Sequence, residues 1–308
     1  MLFEDPRDWL GAARQGGVDA PACPRGAFLV APDALAWAAD SAGDNRYMQA
    51  GSAIDLGRAQ AQHRALQQAL SEDLPVIAFP GRPGQFDGVF CNNAFATAQV
   101  AGERRFLLGR MRHPHRQAET DREDVRRWFL ELMGCRLWDL RDGPGLAELT
   151  GTLVIDRARA VGVAGLGPRC DRAGAEAMAA AFGLRACLLT PLAEGEYHAN
   201  VVLALCAGRL ALVAGDAWQR GDALCAALAG LYGKTAVIEL DREERESFVG
   251  NCIALREDRI WMSERAADSL RTGTRSRIEA LGFRIGSVAL DEIEKAGGSL
   301  RCCVGEIF

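Results

Sequence analysis

Short apolar segments typical of β-strands alternate with amphipathic helices from Ala27 to the C-terminus, and this pattern favours an α/β fold. A pair of predicted strands followed by a predicted helix and a further strand recurs several times, as two examples show. Thr152–Ala164 precedes the helix Asp171–Phe182. Likewise, Ala199–Val213 precedes the helix Ala223–Tyr232. The recurrence has no fixed sequence period, so it indicates repeated structural units rather than a sequence repeat.

The same pattern sets the domain boundaries that we predict. Residues 1–24 precede the alternation and end in the region of Pro21 and Pro24, and we expect them to form a poorly ordered N-terminal extension. No stretch of linker composition divides the chain after residue 25. We therefore predict a single α/β domain over residues 25–308.

The composition is that of an ordinary globular protein and argues against several partners. Of the 308 residues, 49% are apolar and 25% are charged, and the formal net charge is -5. Because no dense block of Lys and Arg exists, we expect neither nucleic acid nor an anionic membrane as a partner. The N-terminus has no apolar signal region, and no apolar run approaches the roughly 20 residues of a membrane helix. We therefore expect a cytoplasmic protein whose scattered cysteines are mostly small buried residues.

Common motifs of nucleotide and metal chemistry are absent. The chain has no GxxxxGK(S/T) phosphate loop, no HExxH and no GxSxG. The segment Gly165–Pro168 resembles the start of a dinucleotide loop but lacks its third glycine. The four histidines form no visible cluster, so we predict neither a metal site nor a cofactor.

Three polar residues interrupt the apolar, strand-like stretch Phe86–Phe95. They are Asp87, Asn92 and Asn93. Polar side chains in such a position must be hydrogen-bonded or serve a site. A turn is the alternative, because Asn-Asn is a common turn pair.

A histidine and an amide lie two residues apart in the segment Tyr197–Leu203. If this segment is a strand, His198 and Asn200 share one face. A proton carrier then lies beside a neutral group that both donates and accepts hydrogen bonds. This pattern more often indicates a histidine with a purely structural role, so a catalytic interpretation depends on further residues.

Two adjacent cysteines follow a glycine pair in the C-terminal segment Ala296–Val304. On a strand, Cys302 and Cys303 point to opposite faces, so one can be reactive while the other is buried. Two structural cysteines are the alternative. A carboxylate, Glu148, lies just before an apolar strand, where a solvated loop position is the alternative.

These four segments, in this order, resemble the guanidino-group-modifying superfamily. It includes arginine deiminases, dimethylarginine dimethylaminohydrolases, amidinotransferases and arginine or succinylarginine dihydrolases. The resemblance runs from about Ala27 to Phe308 and is greatest to the bacterial citrulline-type hydrolases that are amidinotransferase-like. It implies a five-bladed α/β propeller, or pentein, of repeated ββαβ units around a central active site.

The resemblance also implies roles for the candidate residues. Cys302 corresponds to the nucleophile, His198 to the general acid/base, and Glu148 to a partner of the histidine or the substrate. The implied substrate-binding residues are Asp87, Asn93, Asn200 and Arg169. For Arg169 the expected ligand is a substrate carboxylate, with a surface salt bridge as the alternative.

The sequence departs from the family pattern at four positions. Leu149 replaces the glycine that usually follows the glutamate, and Cys303 adds a second thiol. Asn93 and Asn200 are amides where deiminases have carboxylates. A guanidinium ion favours charge-assisted bonds to carboxylates, whereas an amide can also donate to the carbonyl oxygen of a ureido group. The two amides therefore favour a citrulline-like substrate, or a dihydrolase whose reaction passes through a ureido stage.

We thus expect a cysteine-dependent hydrolase that cleaves a C–N bond of a guanidino or ureido group in an arginine- or citrulline-like small molecule and releases ammonia. An amidinotransferase, which passes the amidino group to an amine, is one alternative. A non-catalytic binding protein on the same fold is the other. The sequence identifies neither the substrate nor the oligomeric state, and a homodimer is compatible with it.

Overall fold

The structure is a computed structural model that describes residues 1–16, 20–49 and 51–308. Within these residues the strands form five separate mixed sheets. The strands are β1 (Leu2–Phe3), β2 (Gly26–Val30), β3 (Val76–Phe79), β4 (Phe95–Val100), β5 (Glu103–Leu108), β6 (Arg136–Asp139), β7 (Leu153–Asp156), β8 (Val161–Leu166), β9 (Ala186–Pro191), β10 (Leu203–Cys206), β11 (Leu210–Val213), β12 (Val237–Glu239), β13 (Ile253–Arg256), β14 (Arg259–Ser263), β15 (Arg284–Val288) and β16 (Gly305–Ile307).

All five sheets are built on one plan. Their strand orders are β16-β2-β3, β4-β5-β6, β7-β8-β9, β10-β11-β12 and β13-β14-β15, with β1 added beside β9. In each order the strand named first is antiparallel to the second, and the second is parallel to the third. The C-terminal strand β16 pairs with β2, so residues from both ends of the predicted domain share one sheet.

Helices connect the second and third strands of each sheet, because a parallel pair needs a crossover. The predicted recurrence of two strands and a helix is therefore confirmed. No helix of the described residues is both long and apolar enough to cross a membrane. The α-helices are α1 (Pro6–Ala13), α2 (Ala39–Ala42), α3 (Leu56–Leu70), α4 (Pro114–Gln117), α5 (Glu123–Arg127), α6 (Leu149–Thr152), α7 (Arg172–Ala181), α8 (Ala199–Val202), α9 (Gly221–Tyr232), α10 (Arg242–Glu246), α11 (Glu264–Ser269), α12 (Thr272–Ala280), α13 (Asp291–Glu294) and α14 (Leu300–Cys303).

A short helical turn comes before the first strand of several sheets, at positions where the sequence predicts strand. The turns α6, α8 and α14 precede β7, β10 and β16, and a 3-10 turn, Cys91–Asn93, precedes β4. The predicted strand beginning at Ala199 therefore begins only at Leu203, and the one beginning at Cys302 begins only at Gly305. A short apolar run fits a buried strand and a buried helical turn equally well, so tertiary packing decides between them.

The N-terminal segment also differs from the expected poorly ordered extension. Leu2–Phe3 forms β1 and pairs parallel with β9, and α1 follows it directly. The indole of Trp9 is fully buried in the largest apolar cluster, beside Ala13. Burial of this large side chain offsets the conformational entropy lost when the segment is ordered. Residues 17–19 of the predicted extension lie outside the described residues.

Candidate active site

Most candidate residues lie in or just before the turns that precede the first strands of the sheets, whereas Arg169 lies between β8 and α7. Asn93 ends the turn before β4, and Cys302 lies in α14. Glu148 and His198 immediately precede α6 and α8, respectively. Of the predicted site residues, four line a single narrow pocket beside Tyr197: Asp87, Asn93, Arg169 and Cys302.

Cys302 is buried, and the side chains of two asparagines lie beside its sulfur. Nδ2 of Asn251 donates a hydrogen bond to Sγ over 3.3 Å. Oδ1 of Asn200 lies 3.8 Å from the same sulfur. Burial raises the pKa of the Cys302 thiol, and the Asn251 hydrogen bond counteracts part of that rise. The thiol is therefore neutral in the free site at neutral pH.

Cys303, unlike Cys302, does not line the pocket. Both cysteines lie in the helical turn α14, so the predicted strand with two opposite faces is wrong. Cys303 is fully buried and is absent from the pocket wall that Cys302 helps to form. Burial raises the pKa of the Cys303 thiol well above its usual value, which makes this thiol the less reactive of the two.

His198 and Glu148 form a buried pair, with Nε2 of the imidazole 2.8 Å from Oε2 of the carboxylate. Burial opposes ionisation of Glu148, but the charge of Arg169 and the hydrogen bond from His198 dominate and lower the pKa of this carboxyl group. Burial lowers the pKa of His198 despite the opposing effect of Glu148. The pair is thus an ionised carboxylate and a neutral imidazole at neutral pH. Because His198 precedes α8, its predicted position on one strand face with Asn200 is wrong.

The tautomer of His198 follows from this hydrogen bond. An ionised carboxylate only accepts hydrogen bonds, so Nε2 carries the hydrogen that it donates to Glu148. Nδ1 then holds a free lone pair, and it has no hydrogen-bond partner among the described residues although it is buried. This nitrogen is the one available to take up a proton.

Arg169 is fully buried and pairs with two carboxylates of the protein itself. Its Nη1 lies 3.2 Å from Oε2 of Glu148, and its Nη2 lies 2.5 Å from Oδ1 of Asp44. A surface salt bridge, the alternative interpretation, is therefore wrong, because the ion pairs are internal. The other interpretation, contact with a substrate carboxylate, stays a prediction.

Asp87 lies at one side of the pocket and is held by hydrogen bonds. Ser41 donates its hydroxyl to Oδ2 over 2.6 Å, and Nε2 of His115 lies 3.2 Å from the same oxygen. Burial would raise the pKa of Asp87, but the hydrogen bond from His115 and the nearby charge of Arg116 lower it. The site therefore presents an ionised carboxylate.

The two amides of the site each leave one buried atom without a partner among the described residues. These atoms are Oδ1 of Asn93 and Nδ2 of Asn200. Gly151 makes room beside Asn93, because a Cβ added there would lie 2.4 Å from that Oδ1 and 3.0 Å from Cε1 of His198. A buried acceptor and a buried donor without partners cost free energy unless a ligand satisfies them.

Sequence reasoning missed several residues of this site. Asp44, in a turn, and His115, in α4, contact predicted site residues through tertiary packing that a sequence does not reveal. Arg116 and Glu119 form a buried pair whose i,i+3 spacing was visible. Asn251 carried no signal, because a single asparagine after a glycine reads as an ordinary turn. Among the described residues, no group of three or more His, Cys, Asp and Glu side chains could hold a metal ion.

Solved structures share this fold at low sequence identity. The N-terminal domain of ArgZ, an arginine dihydrolase from the ornithine-ammonia cycle in Cyanobacteria, was solved with substrate in a cysteine-to-serine variant. It has a TM-score of 0.77 and 21% identity, covering 92% of this chain and 97% of that domain. DDAH from Pseudomonas aeruginosa, in complex with citrulline, has a TM-score of 0.67 and 20% identity, covering 92% of this chain and 100% of that one. This chain spans only 40% of full-length ArgZ.

Sequence comparison identifies the family directly. No curated protein sequence matches the chain. The family model described as "N,N dimethylarginine dimethylhydrolase, eukaryotic" matches residues 31–308, which is most of its length. The chain therefore belongs to the N,N-dimethylarginine dimethylhydrolase family, within the superfamily of guanidino-group-modifying enzymes.

Proposed function

We propose that this chain is a cysteine-dependent hydrolase that cleaves a C–N bond of a guanidino or ureido group in an arginine- or citrulline-like small molecule and releases ammonia. One observation carries the proposal: the buried thiol of Cys302, the buried His198–Glu148 pair and two unpartnered amide atoms lie in one site. These groups supply a nucleophile, a proton carrier and contacts for a planar polar group. Family membership and the substrate-bound ArgZ domain and citrulline-bound DDAH support it.

Substrate orientation is the first task of this site. The carboxylate of Asp87 and Oδ1 of Asn93 would accept hydrogen bonds from the N–H groups of the planar guanidino or ureido group. Nδ2 of Asn200 would donate to a carbonyl oxygen, which a ureido group has and a guanidinium lacks. The amides thus favour a substrate or intermediate of the ureido kind, while Asp87 still accommodates a cation. Fixing the group close to the sulfur removes much of the entropic cost of reaction.

The first chemical step forms a bond between Sγ of Cys302 and the central carbon. The thiol proton passes to Nδ1 of His198, and Glu148 stabilises the imidazolium that results. His198 then gives this proton to the departing nitrogen. The C–N bond breaks, ammonia leaves, and an S-linked intermediate remains on Cys302.

The second step returns the enzyme to its starting state. His198 takes a proton from water, and the oxygen of that water bonds to the central carbon. The C–S bond breaks, and the proton returns from His198 to the sulfur. Each pass through these two steps consumes one water and releases one ammonia, or one methylated amine where the departing nitrogen is methylated.

We also propose that the five sheets are the five blades of an α/β propeller. Their common plan and the pairing of the C-terminal strand β16 with β2 in one sheet support this arrangement. Strands that start each sheet are neighbours across sheets, as β16 and β4 are, and β7 and β10. A central site built from the turns before these strands is what such an arrangement would produce.

Release of ammonia, or of a methylated amine from the methylated arginines, tests the proposed activity. The panel is arginine, citrulline, methylated arginines, succinylarginine and agmatine, assayed with the unmodified chain and with Cys302→Ala. Release from one compound that Cys302→Ala abolishes and Cys303→Ala retains would support the proposal. One ammonia per product would indicate a deiminase, and two would indicate a dihydrolase.

Three outcomes would contradict the proposal. Full ammonia release by Cys302→Ala would remove the cysteine mechanism. If no ammonia appears but an added amine acquires the amidino group, the chain is a transferase. A site that binds a panel compound without any turnover would make the chain a binding protein.

A further inference from the structure

In its own sheet, Asn251 holds the place that candidate site residues hold in three of the other four sheets. It lies two residues before β13, in the turn that precedes the first strand of that sheet. Asn93 stands two residues before β4, and Asn200 and Cys302 stand three residues before β10 and β16. The repeated plan of the sheets therefore directs Asn251 towards the same centre.

The backbone around Asn251 is fixed against the turn that carries Asn200. Phe248, which opens this turn, has a positive φ of 66°, a conformation that few non-glycine residues adopt. Gly250 approaches α8 so closely that a Cβ there would lie 2.6 Å from the carbonyl oxygen of Val201. The position of Asn251 relative to Asn200 is thus set by backbone packing.

All the hydrogen-bonding groups of the Asn251 side-chain amide have a partner, and these partners belong to Asn200 and to Cys302. Its two Nδ2 hydrogens meet the carbonyl oxygen of Asn200 at 2.8 Å and Sγ of Cys302 at 3.3 Å. Its Oδ1 accepts the backbone N–H of Cys302 at 3.4 Å. The reverse orientation of the amide would put its oxygen against the Asn200 carbonyl and its nitrogen against an N–H, so the network determines the orientation. The side chain is fully buried.

We propose that Asn251 is the positioning residue that aims the Cys302 sulfur and sets its ionisation. The inference rests on the proposed function in that Cys302 is taken as the nucleophile. A hydrogen bond donated to sulfur is stronger when the sulfur is a thiolate, so it favours ionisation. Asn251 donates a side-chain N–H to this sulfur, and among the hydrogen bonds that lower the pKa of the Cys302 thiol it has the largest effect, ahead of the one from the backbone of Ser299.

Substitution by aspartate separates this role from packing. Asn251→Asp keeps the shape of the side chain but replaces the donor with a carboxylate oxygen beside Sγ. The negative charge and the lost hydrogen bond both disfavour the thiolate. We expect the iodoacetamide alkylation rate of Cys302 at pH 7.5 to fall by about tenfold or more, since one pKa unit changes the thiolate fraction tenfold. Asn251→Ala, which adds no charge, is expected to give a smaller fall in the same direction.

The readouts are chosen so that a purely structural role would not produce them. Alkylation is followed at the peptide containing Cys302, in a Cys303→Ala background, over a range of pH and only in samples with native circular dichroism. The rate of Asn251→Asp should recover as the pH is raised. The pH optimum of kcat should shift in the alkaline direction, while KM changes less.

An NMR titration of the unsubstituted chain avoids any folding defect of the variants. With 15N-labelled asparagine, the side-chain resonance of Asn251 should titrate with the same pKa as Cys302 alkylation. It should not titrate in Cys302→Ala. Absence of this titration, or an unchanged alkylation profile in folded Asn251→Asp, overturns the inference. Neither result affects the proposed function, which instead fails if Cys302→Ala retains full ammonia release.

Discussion

Nε2 of His198 lies 2.8 Å from Oε2 of Glu148, and both side chains are buried. The short contact fixes the imidazole tautomer and leaves Nδ1 as the atom that exchanges protons. It also places a full negative charge where an imidazolium would form.

Glu148→Gln tests this relationship. The amide preserves the size of the side chain but no longer stabilises a protonated His198. We expect kcat for ammonia release to fall by between about a hundredfold and ten-thousandfold, the range typical of lost general acid–base catalysis. Glu131→Gln, which removes an exposed carboxylate, serves as the control. A fall of less than about threefold in a folded Glu148→Gln variant would contradict the assigned role.

We expect substrate preference to depend on Asn93 and Asn200, each of which has one unpartnered amide atom among the described residues. Replacing Asn93 or Asn200 with aspartate converts a neutral contact into a charge-assisted one for a guanidinium. We expect kcat/KM for arginine relative to citrulline to rise by about fivefold to tenfold, because hydrogen bonds to charged groups contribute roughly 1 kcal/mol more than neutral ones. Paired kinetics on both substrates measure the ratio. A lower ratio in both variants would argue against a ureido-selective site.

A substitution at Arg169 distinguishes between two roles of this side chain, an internal ion pair and a contact with the substrate carboxylate. Arg169→Met leaves Glu148 and Asp44 without their shared cation. We expect the free energy of unfolding to fall by about 3–5 kcal/mol, as is usual when one partner of a buried pair is removed. Denaturant unfolding measures this change. If instead stability is unchanged and only KM rises, Arg169 binds the substrate carboxylate as the family resemblance implies.

Much of the site could be predicted from the sequence, but its geometry could not. Cys302, His198 and Glu148 stand out because polar or reactive residues interrupt apolar segments, and their order matches a family. The conformation around His198 was beyond reach, since Ala-Asn-Val-Val after it suits a strand and forms a helical turn only through packing. The role of Asn251 could not be predicted from the sequence. It depends on the contact of this side chain with Cys302, and no local pattern encodes a contact between residues about 50 positions apart.

Acid should destabilise the fold through His63, which is buried in α3 with no partner for Nε2 among the described residues. Burial lowers the pKa of His63 to about 4. The unfolded chain therefore binds this proton near pH 6.5 while the folded chain does not, and stability is lost as pH falls below 6.5. His63 alone should lower the free energy of unfolding by about 2 kcal/mol between pH 7 and pH 5. In His63→Gln, denaturant unfolding should show a pH dependence that is smaller by this amount.

Leu149 occupies a backbone conformation that suits glycine, the residue usual at this position in the family. Its φ is 36°, and its side chain is fully buried in an apolar cluster. Leu149→Ala and Leu149→Gly both lose the buried side chain, at a cost of about 2–5 kcal/mol. Only glycine also relieves the backbone strain, which is worth roughly 1 kcal/mol or more for a residue with a side chain. We therefore expect Leu149→Gly to be more stable than Leu149→Ala, the reverse of the usual order for a helical position. The denaturant midpoints of the two variants measure this difference in stability. A glycine variant that is less stable than the alanine variant would mean that the backbone at Leu149 is not strained.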